Sequence, residues 1–218
     1  MKRAAWLALL IASMAFTPIP EKVTDKKAKD ILDATSKKIH SFKTIKIDFS
    51  ITESAEKKAD ITRKGRVWLK QNKYNLRLAG QEVYCDGKTK WTYIKDAEEV
   101  HISNVKEDED ELANPLNLLK NYQKRFTARW IKEETQKGKK LDIIDLYPRK
   151  VKGYHRVRLR IAQSDRQIMS TTVYQVSNAS QNVEVDKFVT NEAIKDEYFV
   201  WDPKKHPGVE VIDLRKKK

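Results

Sequence analysis

Residues whose types could do chemistry are few and scattered. The single cysteine, Cys85, offers a thiol nucleophile or a redox centre; the alternative is a small buried hydrophobe. No CxxC pair accompanies it and no helix N-terminus is placed to lower its pKa, which favours the quiet reading. His40, His101, His155 and His206 lie far apart, with no HExxH and no Cys/His cluster at metal-ligand spacing. Neither a GxSxG elbow nor a phosphate-cradling glycine loop occurs. The acidic run from Glu107 to Glu111 lacks the spaced ligands and the glycine of a calcium loop, so it reads as a solvated loop. The expectation is a protein that is not an enzyme, with no catalytic residue, metal or cofactor.

Charge and the N-terminus narrow the class. The net charge of +14 raises nucleic acid or an anionic membrane as a partner, but acids accompany the bases nearly everywhere and no nucleic-acid motif is present. Two cationic places stand out: Arg156, Arg158 and Arg160, read as a solvated outer sheet face, and the tail Arg215 to Lys218; either could brush a lipid headgroup. Residues 1–15 have the layout of a cleaved signal peptide. Lys2 and Arg3 precede an uncharged apolar run too short for the roughly 20 residues of a membrane span, and Ser13 and Ala15 form the small-x-small cleavage pair. Residues 16–218 are then one exported domain, which a lone cysteine cannot staple internally.

The elements that must position any site follow from periodicity. "TDKKAKDILDATSKKI" reads as an amphipathic helix capped by Thr24, with Ala28, Ile31, Leu32, Thr35 and Ile39 as its apolar stripe. Period two then takes over: Ile45, Ile47, Phe49 and Ile51, next Val67 and Leu69, then Tyr74, Leu76 and Leu78 across a turn at Asn72-Lys73. "QEVYCDG" and "KTKWTYI" meet at Asp86-Gly87, a strong hairpin signal because glycine accepts positive φ without strain. In "NPLNLLKNY" Asn114 caps and Pro115 opens a short leucine-rich helix. Strand patterns resume from "RFTARWI" through "QNVEVDKFVT" to "EYFVW". The expected count is about ten strands, one long helix and one short one. A sheet of that size must close into a barrel, pack as a sandwich, or curl with its concave side covered by the two helices. The last option leaves an apolar cavity, in which each buried CH₂ of a guest is worth about 0.8 kcal/mol; from alternation alone, the same residues read equally as an ordinary filled core, as most apolar sheet faces are.

The order of features resembles the LolA family of periplasmic lipoprotein carriers, over about Asp25 to Leu214. "DGKTKWTY", Asp86 to Tyr93, is its most specific part, then Gly65, Trp68 and Lys70, and more loosely Pro207, Gly208, Val209 and Val211. The resemblance implies a mainly β fold with α elements: a single-domain, half-open, unclosed antiparallel β-barrel with a helical lid. It also implies a monomeric carrier in the Gram-negative periplasm. That carrier takes lipoproteins from an inner-membrane ABC-type release complex and passes them to the outer membrane, through a separate acceptor where one exists. The alternating residues that would line the acyl-chain cavity are Ile45, Ile47, Phe49, Ile51, Val67, Leu69, Leu76, Trp91, Tyr93, Leu159 and Ile161, with Leu116, Leu118 and Leu119 in the lid. Many family members hold the lid with an arginine followed by proline; here Gln71 and Asn72 stand there, without the guanidinium's charge or fork. The alternative is a periplasmic lipid- or lipoprotein-sensing regulator of the same architecture, which usually carries a further domain.

Overall fold

A computed structural model describes residues 24–56, 58–105, 118–150 and 153–215. The signal segment 1–15, the acidic run and Asn114, Pro115 and Leu116 lie outside them.

Helix α1 (Lys26–His40) begins one residue later than the cap expected at Thr24. Asp25 is the N-cap, its Oδ1 accepting from the Ala28 amide at 2.6 Å. The buried side of α1 is the stripe read from its periodicity, Ala28, Ile31, Leu32, Thr35 and Ile39. Thr24 and Asp25 also fasten the helix to the sheet. The Ala128 amide donates to Thr24 Oγ1, the Asp25 amide donates to the Ala128 carbonyl, and the Trp130 amide donates to Asp25 Oδ2 at 2.6 Å.

The sheet is built from β1 (Ile45–Ser54), β2 (Ile61–Lys70), β3 (Lys73–Leu78), β4 (Gln81–Cys85), β5 (Thr89–Ile94), β6 (Glu99–Asn104), β7 (Phe126–Gln136), β8 (Lys139–Pro148), β9 (Tyr154–Ala162), β10 (Ile168–Gln175), β11 (Ser180–Thr190) and β12 (Glu210–Asp213), with a one-turn helix α2 (Tyr122–Arg125) before β7. These twelve strands exceed the ten or so expected. Their spatial order is β12-β6-β5-β4-β3-β2-β1-β11-β10-β9-β8-β7, so two antiparallel meanders are joined by the β1/β11 pair. Strand β12 alone runs parallel to its neighbour, β6, among the described residues. Within them the edges β7 and β12 do not pair with each other, and the fold is a mainly β, unclosed barrel.

Local chemistry sets the register where the sequence signals it. At the β4–β5 turn, Asp86 Oδ1 accepts from the Lys88 and Thr89 amides at 2.8 Å each and Gly87 takes φ 94°. The β2–β3 turn is centred on Gln71 and Asn72, one residue before the expected pair, with Gln71 at φ 55°.

The stretch "EYFVW", read as a strand, forms a 3-10 turn over Asp196–Phe199 instead. It crosses the outer face of the sheet rather than joining it. Asn75 Nδ2 donates to the Tyr198 carbonyl at 2.8 Å, and Trp68 meets the Tyr198 ring edge-on at 5.1 Å. Hydrogen bonds from Lys70 and Lys73 hold the Asp196 carboxyl at about 2, and Trp201 is buried.

Candidate lipid-binding cavity

The inner face of the sheet is apolar because β1, β2 and β3 each send alternate residues inward in matched register: Ile47 lies opposite Val67, and Val67 opposite Leu76. Where α1 packs against β7, its stripe fills the concave side. Beyond its C-terminal end the helix no longer covers the sheet, and a cavity of about 510 Å³ opens. Ile45, Ile47, Phe49, Ile51, Val67, Leu69 and Leu76 line its floor, and Ile39, Phe42 and Leu118 bring the α1 end and the leucine segment to it.

Four of the residues expected in the lining sit elsewhere. Trp91 and Tyr93 are on the outer face, packed with Tyr84, Val100 and Trp201 beneath the C-terminal segment. The strand alternates as read, but the register Tyr84↔Trp91 puts this pair opposite in face to Val83, which belongs to the inner cluster. Leu159 and Ile161 are fully buried in the core cluster that also holds Ile144, Ala28 and Leu32, and they do not line the cavity. Leu119 is likewise core, 1% exposed, while its neighbour Leu118 reaches the cavity. Gln71 is exposed at its turn.

The sequence reading missed the opposite wall: Val173 from β10 and Val183, Val185 and Phe188 from β11. A bulge explains the omission of Phe188. Phe49 pairs with Val185 and Asp48 with Lys187, so Asp186 is skipped and the inward set jumps from Val185 to Phe188. Strict alternation through "NVEVDKFV" would send Lys187 inward. Val183 and Val185 were legible as a strand face, but nothing local ties that face to the one formed by β1.

The helical pieces beside the cavity are joined by polar contacts. Arg125 Nη2 donates to the carbonyls of Leu118 and Lys120 at 2.8 Å each, which fixes the segment carrying Leu118. The Tyr122 hydroxyl donates to Asp33 Oδ1 at 2.9 Å and joins α2 to α1. Burial alone would raise the Asp33 carboxyl, but hydrogen bonds from Lys29 and Tyr122 outweigh it and hold the group below the usual carboxylate range. Burial, helped by the bond to Asp33, pushes the Tyr122 phenol well up, so it stays a donor.

Cys85 is buried, its thiol 3.9 Å from the Asn72 carbonyl. Among the described residues no group of three or more His, Cys, Asp and Glu is placed to hold a metal. The arginine row of β9 is less solvated than expected, because Asp145, 1% exposed, lies across from it on β8. Arg158 grips that carboxylate through Nε at 2.7 Å and Nη2 at 2.8 Å, and Arg156 lies 3.9 Å over the Tyr174 ring.

Comparison with known proteins places the chain in context. The family profile described as "Outer membrane lipoprotein carrier protein LolA" matches residues 40–202. Among solved structures, an uncharacterized conserved protein from Thermus thermophilus superposes with TM-score 0.60 at 12% identity, over 86% of this chain and 99% of that one. A DUF1329 family protein from Desulfovibrio piger gives 0.50 at 9% identity, over 83% and 99%. A LolA superfamily protein from Nitrosomonas europaea gives 0.47 at 12% identity, over 81% and 98%. At such identities the likeness is one of fold. No curated protein matches the sequence.

Proposed function

The chain belongs to the LolA family of outer membrane lipoprotein carrier proteins, and on that premise we propose that it carries lipoproteins across the periplasm of a Gram-negative cell with their acyl chains in its cavity. The observation that carries this reading is an apolar cavity of about 510 Å³ bounded by aliphatic strand residues and by the ends of two lid pieces. Burial of each methylene there contributes about 0.8 kcal/mol, so affinity needs no catalytic group. Binding and release are the whole of the mechanism, and no bond of the cargo is broken.

Size suggests how the lid works. At about 30 Å³ per water-sized group, the cavity has room for about 17 methylenes, roughly one acyl chain. A cargo with more chains therefore displaces the roof pieces at the cavity, Phe42 and the Leu118 segment that Arg125 holds, while the fastened N-terminal end of α1 stays on β7. An inner-membrane ABC-type complex supplies the lipoprotein, and transfer runs to an acceptor that binds the chains more tightly, because a carrier without an energy source moves cargo only down an affinity gradient. A signal peptide over residues 1–15 accounts for export.

The test is direct. The mature chain, purified from the periplasm, is expected to bring triacylated peptide with it and to extract labelled lipoprotein from inner-membrane vesicles. Leu118→Glu and Val185→Trp are expected to lower retention by about tenfold or more, the first by putting a charge at the cavity wall and the second by filling it. A wild-type protein that emerges empty and extracts nothing would refute the carrier reading.

A further inference from the structure

The wall of the cavity is apolar, but its rim is not. At the turn from β9 to β10, Asp165, Arg166 and Gln167 enter the lining, and Lys38 of α1 joins them. Arg166 also lines a second, polar groove, where Lys26 is paired with Asp30 and Lys27 with Glu133, so it stands where apolar space meets polar space. Its guanidinium is anchored from behind. Nη1 donates to Asp142 Oδ2 at 3.1 Å, and Asp142, 3% exposed, accepts on Oδ1 from Trp130 Nε1 at 3.1 Å and Gln163 Nε2 at 3.2 Å. The carboxylate of the rim itself, Asp165, accepts from the Gln167 amide at 3.0 Å and so closes its own turn.

An anchored guanidinium with donors to spare, on the same rim as Lys38, whose ammonium lies over the Phe42 ring, can recognise a phosphate or carboxylate. Placed at the mouth of a space that holds about one acyl chain, it selects for a molecule with one tail and one negative head. Resting on the reading of the cavity as an acyl-chain site, the geometry points to a second ligand class: single-chain anionic amphiphiles, held with the tail among Ile47, Val67 and Val185 and the head on Arg166 and Lys38. Such ligands fit beneath the closed lid, whereas cargo with several chains must open it.

The experiment compares amphiphiles with one palmitoyl chain and different heads: lysophosphatidic acid and palmitate as anions, monoacylglycerol as neutral, and lysophosphatidylcholine as zwitterion. Binding is measured by displacement of a fluorescent fatty-acyl probe. The phosphate or carboxylate ligand is expected to bind about tenfold tighter than monoacylglycerol, with the gap shrinking as salt rises. Arg166→Asn and Lys38→Asn are each expected to narrow the gap and leave monoacylglycerol affinity as it was. Asparagine suits position 166, where φ is 59°, and Lys38 is exposed, so the second variant tests the head contact with little risk to the fold. Equal binding of anionic and neutral ligands, or a gap that survives both variants, overturns the proposal while leaving the cavity reading intact. Failure of every ligand to bind, monoacylglycerol included, overturns both.

Discussion

Gly65 has a purpose that periodicity does not reveal. A Cβ added there would come within 2.5 Å of the Phe49 ring and 2.9 Å of the Arg77 carbonyl, so the missing side chain is what lets Phe49 lie across β2 as cavity floor. Gly65→Ala is expected to destabilise the protein by about 1–3 kcal/mol, as overpacking does, and to displace Phe49. A lowered denaturation midpoint checks the first effect; Phe49→Leu in the same chain should recover part of the loss, and no recovery would place the clash on the backbone of β3 instead. Asp196 provides the residue-level pH dependence. Its carboxyl lies at about 2 rather than 3.8 because Lys70 and Lys73 bond to it. A lowered folded-state pKa means the stabilisation is fully present above the unfolded value and is lost as pH falls through the folded one. Between about pH 4 and 2 the C-terminal segment is expected to loosen, seen as faster hydrogen exchange around Tyr198, and Asp196→Asn should abolish that step.

At the scale of elements, the segment from Leu118 to Arg125 is tied down by short polar contacts as well as by the burial of Leu118, Leu119 and Tyr122. Tyr122→Phe removes the hydroxyl that joins α2 to α1 while Lys29 and Gln123 still serve Asp33, so a loss of about 1 kcal/mol is expected. Arg125→Met frees the Leu118 and Lys120 carbonyls, and faster hydrogen exchange in residues 118–125 with unchanged exchange in β1–β3 is the expected signature. Equal loosening of the sheet would show that these contacts stabilise the whole domain rather than the lid. Gln71, the position expected to contact the lid, is exposed at its turn. Arg125 does bond backbone carbonyls of the leucine segment, from a position that no local motif marked.

For the whole molecule, an unclosed sheet must manage two edges, and β7 is the longer. Asp25 both caps α1 and occupies the Trp130 amide, which blocks part of that edge from pairing with another chain. Asp25→Ala is expected to cost about 2 kcal/mol, from a lost cap and an exposed edge amide, and to raise self-association measured by light scattering at constant concentration. A destabilised variant that remains monomeric would limit Asp25 to capping.

What the sequence by itself determined is everything carried by a local period: the stripe of α1, the inward face of β1–β3, and the hairpin at Asp86-Gly87. Those features depend on contacts a few residues apart, which periodicity reports. Tertiary structure alone decided which face of β5 looks inward, since Trp91 and Tyr93 are sealed by residues more than a hundred positions away. It also put Phe188 in the cavity through a bulge, and it buried Leu159 and Ile161 in solid core because α1 lies over their end of the sheet. An alternating strand has two faces, and the strand cannot say which of them the rest of the chain will cover.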